Sequence, residues 1–150
     1  MPQSLANLLV HLVFSTKNRE RTLSLEIRPE LYAYLGGILR EMECPGLAIG
    51  GTDDHVHVLV VQSRKIAFCD LVEDVKRGSS RWIKTRGRDW FDFHWQAGYG
   101  AFSVSESNKE AVRTYIANQE HHHQRMTFQE EYRQFLEKHN IQYDEKYVWD

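Results

Sequence analysis

The chain has 150 residues, of which 41% are hydrophobic and 27% charged, with a formal net charge of −2. This length suits a single domain with a sizeable core, and the balance of apolar and charged residues excludes a globally disordered chain. No apolar run approaches the roughly 18 residues of a membrane-spanning helix, the N-terminus lacks the pattern of a secretory signal, and Cys44 and Cys69 have no metal-binding spacing, so a cytoplasmic protein with reduced thiols is expected.

The run NLLVHLVFS, residues 7 to 15, is rich in branched and aromatic residues and predicts a first strand. From Ser24 to about Glu43 the pattern is helical. Pro29 falls in the first turn, where its missing N–H is harmless, and Leu31, Tyr34, Leu35, Ile38 and Met42 recur at three- and four-residue steps. Pro45-Gly46 ends the helix. LAIGG and HVHVLVVQ then read as two strands of a hairpin, joined by the turn-like GTDD.

Residues 66 to 86 return to a helical period, with Leu71, Val75 and Trp82 as apolar positions. After a loop rich in Gly and aromatics, FHWQAGYGAFSVS predicts a strand interrupted near Gly98 and Gly100. A helix is expected from Ser107 or Asn108 to about Gln124, with Ser107 as N-cap and Glu110 completing a capping box. Another follows Thr127, from about residue 127 to 139, and the tail IQYDEKYVWD reads as extended. The order is β-α-β-β-α-β-α-α. Its first six elements match the split βαβ pattern of an α+β, ferredoxin-like antiparallel sheet with helices on one face, here with two C-terminal helices appended in a single domain spanning 1–150.

Two segments carry chemistry. In DDHVHVLVVQ, His55 and His57 leave the strand on one side, roughly 7 Å apart along the backbone, while Val56, Val58 and Val60 fill the other. Such a pair could share a metal ion, hold a phosphate or sit in water. Asp53 and Asp54 could orient an imidazole or serve only the turn. In AVRTYIANQEHHH, Tyr115 and Gln119 stand four apart and share a helical face. A tyrosine hydroxyl can act as a covalent nucleophile and an amide oxygen can ligate a hard cation, although a tyrosine at this spacing commonly packs in a core. His122 and His123 are alternative ligands, but a run of three histidines from His121 is more often solvated. Finally, KRGSSRWIKTRGR, residues 76 to 88, contains no acid, and its basic stripe suits either a phosphate-backbone track or a solvated helix face.

HVH on a strand, followed about 60 residues later by YIANQ on a helix, resembles the HUH single-tyrosine transposases of bacterial insertion sequences, including the REP-associated tyrosine transposases. VFSTKNR, GTDDHVHVLV, KRGSSRWIK and WQAGYGAFSVS look like that family's segments in the family's order. The resemblance implies that His55, His57 and Gln119 hold one divalent ion, Mg²⁺ or Mn²⁺. It further implies that Tyr115 attacks a phosphodiester in single-stranded DNA with hairpin ends, leaving a 5′-phosphotyrosine and a free 3′-OH. Lys76, Arg77, Arg81 and Lys84, with Lys17 and Arg19 of the KNRER cluster, would meet DNA phosphates, and Trp90, Phe91, Trp95 and Tyr99 would stack on bases or build the core. The family is typically a homodimer whose active sites are shared between subunits, and a flexible joint within Gly98 to Ser107 would permit that exchange. A hairpin-binding relative that no longer mobilises DNA and a metal-dependent phosphoesterase are the alternatives.

Overall fold

β1 (Leu9–Ser15) runs antiparallel between β3 (His55–Val61) and β4 (Gly100–Val104), and β2 (Gly46–Gly51) pairs with the outer side of β3. The resulting order, β2-β3-β1-β4, is that of the expected ferredoxin-like sheet. The computed structural model describes residues 2–150. The helices are α1 (Arg28–Glu41), α2 (Phe68–Lys84), α3 (Lys109–Ala117), α4 (Gln119–His122) and α5 (Phe128–Lys138). Among the described residues no helix is long and apolar enough to cross a membrane.

Strand alternation divides the core. Leu12 and Phe14 of β1 and Val56, Val58 and Val60 of β3 point to one face, where Leu31, Leu35 and Leu39 of α1 and Leu71, Val75 and Ile83 of α2 cover them. Burying each of these side chains fully stabilises the fold by about 1.5–3 kcal/mol. The opposite face carries Leu9, His11 and Val13 of β1 with His55, His57 and Leu59 of β3. It is covered in turn, by Ile116 of α3 and by Phe128, Tyr132 and Leu136 of α5. The C-terminal helices are therefore not appendages to a one-sided sheet. They form its third layer.

α3 approaches the sheet closely because Gly50 of β2 has no side chain: a Cβ there would stand 2.5 Å from the Ile116 carbonyl oxygen. Three local expectations are corrected and a fourth is narrowed. The Tyr115 helix does not run unbroken to Gln124 but ends at Asn118 (φ −101°, ψ 20°), after which α4 starts anew. Ser107 does not cap it. The Ser107 hydroxyl pairs with that of Ser105, and Asn108 stands at the N-cap position without a side-chain bond. The tail turns instead of extending, with Tyr147 and Val148 N–H groups donating to the Asp144 carbonyl. The joint expected within Gly98 to Ser107 narrows to the residues flanking β4, since Gly100–Val104 is the paired edge strand. The capping box of α5 forms as expected between Thr127 and Glu130.

Candidate functional site

His55 and His57 lie opposite Ser15 and Val13 of β1, and both are 0% exposed. The expected outward-facing pair is thus turned into the interior, because α4 and α5 lie over that face. Each ring is held by its far nitrogen. Nδ1 of His55 stands 2.6 Å from Asp54 Oδ1 and 3.0 Å from the Thr52 hydroxyl. Nδ1 of His57 stands 2.7 Å from Nε2 of the buried His11. Burial pushes the Asp54 carboxyl up, but its bonds to His55 and Thr52 outweigh this and hold it below the usual carboxylate range. Asp54 is therefore the orienting carboxylate, whereas Asp53 serves the turn, its carbonyl accepting from the Leu23 N–H.

The near nitrogens converge on two groups from the third layer. Nε2 of His55 is 3.0 Å from Gln119 Oε1 and 3.5 Å from Glu131 Oε1, and Nε2 of His57 is 2.8 Å from the same Glu131 oxygen. The other Glu131 oxygen accepts from the Tyr115 hydroxyl and, at 3.1 Å, from the Gln119 amide. Tyr115, Gln119, His55 and His57 are thus brought together within one chain. The break at Asn118 places Gln119 inside, 1% exposed, one turn below the half-buried Tyr115.

Electrostatics follow from burial and from that one carboxylate. Burial lowers His57 to about 4, so the ring is neutral at pH 7, and burial lowers His11 well below its ordinary value. Burial would raise Glu131, but His57, His123 and His55 around it prevail and hold it well below the usual range. Burial and the Glu131 charge together raise the Tyr115 phenol well above its ordinary value. Unaided, this tyrosine is a protonated, weak nucleophile.

The donor set fits a cation. The Asp54 contact places the His55 proton on Nδ1, so Nε2 presents a lone pair to Gln119 Oε1 and Glu131 Oε1, two further acceptors with no proton between them. The His123 Nε2 atom, itself buried, lies 3.2 Å from Glu131 Oε1, the oxygen that His57 also faces. One ligand atom from each of His55, His57, His123 and Glu131 can be chosen so that all four lie within 4.8 Å of one another. A cavity of about 520 Å³ opens beside this cluster, lined among others by Arg21, Arg28, Asp54, His123, Arg125 and Phe128.

The basic residues are not gathered at the cluster. α2 packs on the other face of the sheet. Its Lys76 turns inward, where Nζ donates to the carbonyls of Gln96, Ala97 and Gly98 and burial lowers it to about 8. Arg77 pairs with Glu73, Lys84 donates to the Ser80 hydroxyl, and Arg81 is exposed. Lys17 is exposed beyond the end of β1, and Arg19 stacks 5.7 Å from the Trp149 ring. Of the four aromatics, Trp95 is core and donates to Ser79, Trp90 donates to the Thr22 carbonyl, and Phe91 and Tyr99 are exposed.

Sequence reasoning missed His11 and Glu131, and it ranked His123 with a solvated run. His121 is exposed and His122 packs 4.5 Å from the Tyr115 ring, but His123 joins the cluster. The overlooked signal lay in α5. Phe128, Glu131, Tyr132, Phe135 and Leu136 follow the spacing of a single helical stripe, and a carboxylate within an apolar stripe needs a buried partner.

A profile described as transposase, IS200-like, matches residues 4–119. A candidate transposase from Deinococcus radiodurans R1 is similar at 25% identity, with a TM-score of 0.62 over 79% of this chain and 98% of its own. A REP-associated tyrosine transposase bound to a REP hairpin shares the fold at 11% identity, with a TM-score of 0.58 over 82% of this chain and 72% of its own. No curated protein matches the chain.

Proposed function

The chain belongs to the IS200-like transposase family, and on that premise we propose that it cleaves and rejoins single-stranded DNA through a covalent bond to Tyr115, with a divalent ion at His55, His57 and Gln119. The observation that carries this reading is the meeting of the Tyr115 hydroxyl with both histidines and Gln119 around a single carboxylate. Residues 1–150 act as one HUH domain, because Glu131, beyond the matched segment, completes the site.

In the proposed step the Tyr115 oxygen attacks a backbone phosphorus and the bond from phosphorus to the 3′ oxygen breaks. The phenol gives up a proton and the leaving 3′ oxygen gains one, so the products are a 5′-phosphotyrosine and a 3′-OH. Attack of a 3′-OH on such a linkage rejoins strands without an external energy source. When bound, the ion, Mg²⁺ or Mn²⁺, polarises the phosphate and offsets charge developing on its oxygens. The chain itself contributes orientation. Asp54 and His11 set the two rings, and the short reach from α3 to β3 sets the distance of the nucleophile. His55 and His57 are covered, so α4 and α5 shift when a strand enters.

A hairpin-ended single strand is the proposed substrate; a neighbour of the same fold is bound to a REP hairpin. Lys17, Arg19, Arg77, Arg81 and Lys84 are the proposed phosphate contacts, while Lys76 is taken up by three carbonyls. The resemblance implies a homodimer with active sites shared between subunits. The contacts of Tyr115 and Gln119 with the histidines of their own chain support sites built within one chain instead. The test is a denaturing gel after incubating the full chain with labelled hairpin DNA and Mn²⁺. A protein–DNA adduct that disappears with chelator and in His57→Ala is expected, and its absence from the wild-type protein would overturn the reading.

A further inference from the structure

Glu131 and His123 lie beyond the segment that matches the family, which ends at residue 119. Neither belongs to the ligand set of His55, His57 and Gln119 proposed above. Yet Glu131, 1% exposed, has Oε1 within 2.8 Å of His57 Nε2, 3.2 Å of His123 Nε2 and 3.5 Å of His55 Nε2. Three imidazole nitrogens converging on one buried carboxylate oxygen have the composition of a coordination shell.

We propose that Glu131 and His123 are direct ligands of the ion held by His55 and His57, and that this three-imidazole, one-carboxylate set selects Mn²⁺ or another first-row transition ion over Mg²⁺. The inference deepens the reading of this site as metal-dependent and rests on it.

Size and chemistry both support the assignment. Two metal–ligand bonds of about 2.1 Å span at most roughly 4.2 Å. The four candidate atoms lie within 4.8 Å of one another, close to that span, so modest side-chain adjustment brings them around one ion. Imidazole suits first-row transition ions, Mn²⁺ being the weakest binder of that series, whereas Mg²⁺ takes oxygen ligands and retains several waters. Three imidazoles against one carboxylate give this site more nitrogen than oxygen donors, a balance that disfavours Mg²⁺. The carboxylate is divided between two tasks, Oε1 toward the imidazoles and Oε2 toward the Tyr115 hydroxyl. Glu131 therefore couples the nucleophile to the metal shell, and Gln119 braces it through its amide at 3.1 Å.

The test is metal binding by the full, chelator-stripped chain without DNA, read as loss of the free Mn²⁺ signal in electron paramagnetic resonance. One Mn²⁺ per chain is expected, with Mg²⁺ competing poorly; equal competition by Mg²⁺ would overturn the selectivity. Glu131→Gln and His123→Ala should each weaken Mn²⁺ binding by more than about 100-fold, beyond the range known for groups that only orient a ligand. If both variants bind Mn²⁺ like the wild type while His55→Ala and His57→Ala lose it, the proposal is overturned and the metal-dependent reading stands. If the wild type binds no Mn²⁺, both fall. X-ray absorption of the Mn²⁺-loaded wild-type chain gives an independent readout should a variant not fold. Three imidazoles in the shell support the proposal, and two overturn it.

Discussion

Tyr115 on α3 and Glu131 on α5, 16 residues apart, are joined by a hydrogen bond from the phenol to Oε2, while the other oxygen of the same carboxylate stands 2.8 Å from His57. One side chain thus spans from the candidate nucleophile to the histidine pair. That reach depends on how deeply α3 sits on the sheet.

Gly50 sets that depth. A Cβ at this position would stand 2.5 Å from the Ile116 carbonyl oxygen and 3.1 Å from its Cγ2, so Gly50→Ala must push α3 away. Overpacking of this kind costs about 1–3 kcal/mol, and a displacement near 1 Å at a nucleophile can slow chemistry about 100-fold. A lower melting temperature and a markedly slower adduct rate are expected from calorimetry and gel kinetics. An unchanged rate would show that α3 is not positioned through Gly50.

His11 is a positioning residue. Its Nε2 lies 2.7 Å from His57 Nδ1 in a buried setting, so His11→Leu leaves that nitrogen without a partner. Loss of an orienting partner weakens metal binding by about 10- to 100-fold. Titration with Mn²⁺ should show this loss with one ion per chain retained. Wild-type affinity in the variant would mean that the strand alone orients His57.

Stability of the metal-free chain should fall in mild acid. His57 titrates near 4 in the folded chain, below the ordinary 6.5, so its contribution is complete above pH 6.5 and is lost as the pH drops toward 4. The unfolded chain takes up a proton that the folded chain refuses, and the loss approaches about 3 kcal/mol at about 1.4 kcal/mol per unit. His11, also lowered, adds to it, whereas His123, raised by Glu131 against the effect of burial, opposes it. Urea midpoints at pH 7 and pH 4.5 in the presence of chelator check the sign. A midpoint that rises on acidification would contradict the neutral, buried His57.

The site closes within one chain, because Tyr115 and Gln119 reach the histidines of their own sheet. Mixed dimers of His55→Ala and Tyr115→Phe chains should therefore recover no cleavage beyond the background of each variant. Recovery would require the α3 helices to exchange between subunits.

The fold was legible where periodicity and turn chemistry agree. Val56, Val58 and Val60 alternate against His55 and His57, α1 ends at Glu41 shortly before Pro45-Gly46, and Thr127 with Glu130 caps α5. The second covered face was harder to read, although β1 hinted at it. LVHLVFS is apolar nearly throughout instead of alternating, as expected of a strand buried on both sides, so the histidine face was bound to be covered. Which residues would cover it depended on long-range packing. Glu131 is 74 residues from His57, and no local pattern pairs them. The helix break at Asn118 was equally hidden, since periodicity through Tyr115 and Gln119 continues across it.

The decisive measurement is peptide mass spectrometry of the adduct formed between the full chain, a hairpin-ended single strand and Mn²⁺ after exhaustive nuclease and protease digestion. If Tyr115 is the nucleophile, a 5′-linked nucleotide is found on the peptide containing Tyr115, and Tyr115→Phe yields no adduct. Attachment at any other residue, a 3′ linkage, or an undiminished adduct in Tyr115→Phe would contradict it.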